Sequence, residues 1–293
     1  MTRSTAALFF SLSVVARSHA QSIPSDEGRI YVAVATSKGA AATPRTPDAF
    51  HVWENGASRP IVSAEPAAEP PSIVVIVHGF GRNETLDARQ ALTALVSTIR
   101  VASPAARISL ITDVASTVLT DITTNAGTLD NAAKRFAMSG SGMRIFEAVE
   151  DACGALGRET SGRRLILLLT NTLRYDVEER SAAPIVAALK KSGASLWSVD
   201  ITPESAAYSQ NMHSSMEVAN LLNNWTIASG GVHETAFGTR ALPDILTRVA
   251  GVMLSQYEVR FSRKLTTPET AIRVGVAGTT GEKVMAPQWY VVR

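Results

Sequence analysis

Between Ile73 and Leu254 short unbroken apolar runs alternate with longer stretches in which apolar residues recur every three or four positions. Ile73 to Val77 (IVVIV) is rich in β-branched residues and predicts a strand buried on both faces. Arg107–Thr112 (RISLIT), Arg164–Leu169 (RLILLL) and Ser195–Val199 predict further strands, with short ones at Thr117–Asp121 and Val232–Thr235. The helical period predicts helices over Thr85–Arg100, Thr128–Phe136, Gly142–Leu156, Ala183–Ser192, Ser215–Ser229 and Leu242–Leu254. In the first of these Leu86, Ala91, Leu92, Leu95, Val96 and Ile99 form the apolar stripe. Gly193 and the pair Gly230, Gly231 close two of the others. Strands separated by helices of this length build βαβ units. The expected fold class is α/β, with a doubly wound, mostly parallel sheet.

Towards both ends of the chain the period falls to two and helices disappear. Arg29–Ala35 and Phe50–Glu54 read as strands, and Asn55-Gly56 is a hairpin turn with Arg59–Val62 as its return. Tyr257–Ser262, Ala271–Val276 and Gln288–Val292 read as strands after the last helix. The expected organisation is an N-terminal β segment over residues 21–63, a proline-rich linker over 64–70, the α/β domain over 71–256, and a C-terminal β segment over 257–293. The two terminal segments are expected to pair into a small β module. Trp53 and Trp289, one in each segment, are expected in the core between them.

Composition narrows the class. The chain has 293 residues, 45% of them hydrophobic and 18% charged, enough to bury a core. A net charge of +2 without a dense Lys/Arg stripe gives no footprint for nucleic acid. Arg3, the apolar run Ala6–Val15, and small residues at Ser18 and Ala20 read as a secretory signal peptide over residues 1–20. No later stretch is long and apolar enough for a transmembrane helix, so export to a periplasm or the outside is expected. Cys153 is the single cysteine, so no internal disulfide forms, and its apolar helical context reads as a buried small hydrophobe.

Candidate chemistry gathers after the first central strand, in His78-Gly79-Phe80-Gly81-Arg82-Asn83. Loops at the carboxyl ends of parallel strands are where open α/β sheets bind ligands. His78-Gly79-Phe80-Gly81 also matches the H-G-x-G phrase that builds an oxyanion hole in α/β-hydrolases. That reading needs a G-x-S-x-G elbow and a late histidine. Ser139 and Ser141 lie among glycines, but neither has a glycine two residues away on both sides; Ser195 and Ser198 lie in a strand without the flanking glycines, and His213 and His233 show no partner arrangement. The histidines show no metal-ligand spacing.

Several phrases together resemble exported bacterial proteins of the von Willebrand factor type A-related group. These are Asp48 to Gly56 with Ile61 (D-F-x-V-x-E-D-G in the family), Met143 to Ala148 (T-x-L-x-D-A), and Leu168 to Thr172 (L-L-T-D-G). The closing phrase runs through Tyr257 to Phe261, Ile272 to Val276, and Tyr290. The resemblance implies a Rossmann-like type A domain and a site for a divalent cation, held by a D-x-S-x-S motif, a Thr and a later Asp. Carried over one at a time, the first Asp falls on His78 and the two Ser on Phe80 and Arg82. The Thr falls on Met143 and the last Asp on Asn171. All five differ, and only Asn171 keeps a usable carbonyl for a hard cation. The expectation is therefore a non-catalytic module that binds an unknown protein partner without metal or cofactor. His78, Phe80, Arg82, Met143 and Asn171 are its partner-binding loop candidates. An α/β-hydrolase and an adhesion domain with atypical metal ligands are the alternatives.

Overall fold

The computed structural model describes residues 27–42, 45–80, 84–112, 117–135, 145–171, 183–202, 212–263, 268–278 and 280–292. The signal-peptide segment, Gly81, Arg82, Ser139, Ser141 and Met143 lie outside the described residues.

The centre of the molecule is β5 (Ser72–His78), buried at every position. It pairs in parallel with β6 (Arg107–Thr112) on one side and β8 (Arg164–Thr170) on the other. Beyond them lie β9 (Ser195–Thr202), β10 (His233–Phe237) and β7 (Thr117–Thr123). The order is β10-β9-β8-β5-β6-β7, parallel except for β7. Alternation along β5 sends Ile73, Val75 and Val77 to one face and Val74 and Ile76 to the other. The first face is covered by α1 (Thr85–Ala102), α2 (Ala126–Arg135) and α6 (Leu242–Leu254). The second is covered by α3 (Ile145–Gly157), α4 (Ala183–Ser192) and α5 (Met212–Ser229). Two covered faces are why these strands read as unbroken apolar runs. Cys153 is buried on α3, as its context predicts.

The chain ends add two further sheets. β1 (Glu27–Ala35) pairs antiparallel with β11 (Tyr257–Ser262) and, through its last residues, with β13 (Lys283–Met285). β4 (Ile61–Pro66) lies on the far side of β11. In the second sheet β12 (Glu269–Val276) stands between β2 (Phe50–Glu54) and β14 (Trp289–Val291), with β3 (Ala57–Arg59) beyond β2. Ile30, Val32, Phe50, Val52, Val259 and Phe261 fill the space between these two sheets. Ala33 and Ala35 point the opposite way, into the core under α6. The Arg163 guanidinium pins that junction. It is buried and donates to the Met253 and Leu254 carbonyls at the end of α6 and to Gln256 Oε1. Burial pushes its pKa down to about 10.

Four expectations are corrected. The hairpin return is Ala57–Arg59, and Pro60 then carries the chain into the other sheet. The segment read as a linker is shorter, because β4 runs on to Pro66. As an edge strand, β4 tolerates proline at its end. Trp53 sits on the outer face of β2, over Gly275 and under the Arg273 guanidinium at 4.2 Å. Trp289 packs against the helical core around α4, with Lys190 Nζ 5.4 Å from its ring centre. Neither tryptophan enters the core between the sheets. Leu86 is 63% exposed, and the buried stripe of α1 begins at Ala88.

Candidate functional site

The strand order reverses between β5 and β8, so the crevice at their carboxyl ends is the expected ligand position. Three sequence candidates meet there. His78 ends β5 and stands in register with Thr170 at the end of β8, with Nδ1 3.4 Å from Thr170 Oγ1. The Asn171 amide donates to the His78 carbonyl at 3.2 Å. Asn171 Nδ2 reaches Glu84 Oε1 at 3.5 Å, which links β8 to the start of α1. Gly79 makes the turn possible. Its φ is +74°, and a Cβ there would lie 2.8 Å from the Asn171 carbonyl oxygen. Gly79→Ala is expected to cost about 2–3 kcal/mol, from the left-handed backbone and the close contact together. Urea unfolding of the two proteins checks this.

Each of the three is buried. His78, Phe80 and Asn171 are 1% exposed, and Phe80 turns down into the core beneath α1. They shape the crevice from below. Burial pushes the His78 imidazole down to about 4, so it is neutral at pH 7. A row of polar side chains continues across the sheet from His78 through Thr170 to Asp200 on β9, all in register and all buried. Sequence reading passed over Thr170 and Asp200. The signal available was a polar residue closing an otherwise apolar run in LLLT and SVDIT.

At the described positions His78 and Phe80 the chain offers no hard oxygen to the cation that the type A resemblance implies. A hard divalent ion needs several converging oxygens. The positions that should supply them carry a neutral imidazole at His78 and a phenyl ring at Phe80. Among the described residues no three His, Cys, Asp or Glu side chains come together in a group able to hold a metal ion.

The hydrolase reading gains one contact and loses its access. Ser198 Oγ and His233 Nδ1 are 2.8 Å apart, a Ser–His pair that the sequence did not reveal. Ser198, however, is fully buried in the middle of β9. It has no sharp turn to present it to a substrate, so the pair joins β9 to β10 structurally. Ser195 accepts from Trp197 Nε1 at 3.0 Å.

Two exposed apolar side chains stand near this end of the sheet; sequence reading passed over Phe237 and placed Leu86 on the buried stripe. Phe237, the last residue of β10, is 73% exposed, and Leu86 lies in the first turn of α1. Thr239 Oγ1 donates to Asp87 Oδ2 at 2.5 Å, which ties the segment after Phe237 to the segment after Leu86.

No protein-family model matches the sequence, and no curated protein matches it. Solved structures do match by fold. A von Willebrand factor type A protein from Catenulispora acidiphila aligns over 90% of this chain and 75% of its own, with a TM-score of 0.52 at 10% identity. The pilus adhesin SpaC from Lactobacillus rhamnosus GG, in an open conformation, aligns over 88% of this chain with a TM-score of 0.51 at 12% identity. This chain covers 47% of that adhesin's length. The six-stranded sheet with helices on both faces, the crevice between β5 and β8, and these likenesses agree: the chain has the von Willebrand factor type A fold.

Proposed function

We propose that this chain is an exported, non-catalytic protein-binding module that works without a bound divalent cation. The observation that carries the reading is the carboxyl end of β5. The first ligand position of the type A site is a buried neutral His78, and the next is a phenyl ring turned into the core. A fold that lacks those ligands keeps its crevice as a shaped surface. Exposed groups around it, Leu86 and Phe237, then supply the contact. The pilus adhesin of the same fold shows that such a domain occurs in a protein whose business is adhesion. Export follows from the signal-like first twenty residues.

Calorimetric titration of the mature protein with magnesium, calcium and manganese tests the cation part. No heat beyond dilution is expected. A saturable heat would contradict it and would bring back the atypical metal-dependent reading, with Thr170, Asn171 and Asp200 as the oxygen donors to replace first. A fluorophosphonate probe tests the enzyme part. No labelling is expected, because Ser198 is sealed in the sheet. Labelling that vanishes in Ser198→Ala would overturn the non-catalytic reading.

A further inference from the structure

The two edges of the central sheet are built differently. At the β7 edge the ladder to β6 is broken by register shifts at Leu110 on both sides, and irregular pairing of this kind blunts an edge. The β10 edge is regular, with His233 to Phe237 in unbroken register against Ser198 to Thr202. The Ser198 amide donates to the Val232 carbonyl at 2.9 Å, which fixes the phase of the ladder. In a parallel pair the bonding residues alternate. Glu234 and Ala236 therefore bond to β9, and the amides and carbonyls of His233, Thr235 and Phe237 point away from the sheet. Among the described residues Thr235 and Phe237 make no hydrogen bond apart from this pairing, and both are exposed.

Charge brackets this edge. Lys283 lies near its start, close enough to His233 to disfavour protonation of the imidazole beyond the effect of burial. Arg240 lies three residues past its end. Both are exposed, and neither forms an ion pair among the described residues. The one carboxylate on the strand, Glu234, is held by Arg248 at 3.1 Å. An antiparallel pairing of two copies of this edge would set Lys283 of one copy against Arg240 of the other, which like charges oppose.

We propose that the outer edge of β10 adds an extended peptide strand of a partner protein, apolar at its centre and acidic at its ends. The outward backbone groups of Thr235 and Phe237 supply the register, the Phe237 ring packs on the apolar centre, and Lys283 and Arg240 meet the acidic ends. The inference rests on the reading of the chain as a protein-binding module only for the class of occupant. It does not use the ligand positions of the crevice at His78, although it shares the Phe237 ring with that crevice's rim. The cation titration tests that crevice, and the experiment below tests the edge, so either result stands without the other.

The probe is a synthetic peptide of alternating valine and threonine with glutamates at both ends, compared with the same peptide carrying lysines instead. Binding is followed by fluorescence, and amide hydrogen exchange locates it. The acidic peptide is expected to bind saturably and to slow exchange at Thr235 and Phe237 about tenfold. The lysine peptide is expected to bind at least about tenfold more weakly, with the order reversed in the double variant Lys283→Glu, Arg240→Glu. Thr235→Pro removes an outward donor and leaves the bonds to β9 in place, so affinity is expected to fall about tenfold. Should that variant fail to fold, Phe237→Asp, at an exposed position, gives the same reading through lost apolar contact. Equal binding of both peptides, no protection at Thr235, or unchanged affinity in both variants would overturn the proposal. Protection of the same amides in the protein alone, rising with its concentration, would also overturn it, since the occupant would then be a second copy.

Discussion

Replacing Glu54 by alanine is expected to remove about 3–5 kcal/mol of folding stability. Glu54 ends β2 facing inward and is 1% exposed. Its Oε1 accepts from Arg263 Nε at 2.7 Å and from Thr270 Oγ1 at 3.1 Å, and its Oε2 accepts from Arg59 Nε at 2.9 Å. The Arg263 side chain is also 1% exposed and lies 4.3 Å from the centre of the Tyr290 ring. Burial alone would push the Glu54 carboxyl up. The Arg263 hydrogen bond and charge, with Thr270 and Arg59, outweigh it and hold the pKa below the ordinary value. Removing the carboxylate strands a guanidinium in the interior. The control is Glu54→Met with Arg263→Met, which removes both charges and leaves unbranched apolar side chains in their place. Chemical unfolding should show the double variant losing clearly less than Glu54→Ala, because the penalty lies in the unpaired charge rather than in the lost attraction. Equal losses would mean that packing, not charge, governs this site.

A second large effect is expected on acidification. The His78 imidazole titrates near 4 in the folded chain and near 6.5 in the unfolded one. Between these values the unfolded chain holds the extra proton, so stability falls as the pH drops from about 6.5 to about 4, then levels off for this group. Integrated over that window the loss is about 3 kcal/mol. His233 contributes in the same direction, since burial and then Lys283 lower its pKa as well. Glu54, with its pKa depressed, contributes stability that is lost as the pH falls from the ordinary carboxylate value down through its lower folded one. The two windows separate the causes. Between pH 6.5 and about 4 the natural chain should lose about 3 kcal/mol relative to His78→Leu, as it alone carries the His78 share. Parallel curves would show that His78 does not titrate as its burial implies.

The central sheet was legible because burial on both faces leaves a plain mark, an apolar run with no alternation, as in Ile73–Val77 and Leu165–Leu169. The terminal strands were legible as strands, but their faces were not. Alternation in FHVWE shows that Phe50, Val52 and Glu54 share a side, and a carboxylate on that side argues against burial. The residue that reverses the argument, Arg263, lies 209 positions away in sequence. Trp53 is expected between the terminal segments because it lies in one of them, and it covers the outer face instead. Leu86 fits a helical spacing, yet the first turn of α1 projects beyond the buried stripe, and spacing does not say where the sheet beneath it ends. The crevice residues were legible through order and spacing of motifs, which brought His78 and Asn171 together, 3.2 Å apart through backbone atoms. Their burial, and the row from His78 to Asp200, required the register of β5, β8 and β9.

The proposed independence of this type A fold from a bound divalent cation is read from the melting temperature with and without cation. A ligand that binds only the folded chain at a hundred times its dissociation constant adds about 2.7 kcal/mol. For a chain of this size that raises the melting temperature by roughly 5–10 °C. Superimposable melting curves are expected in a chelator and in millimolar magnesium, calcium or manganese. A saturable rise with any of these ions, abolished by Asp200→Ala, would contradict it and place a working metal site at the carboxyl end of β5.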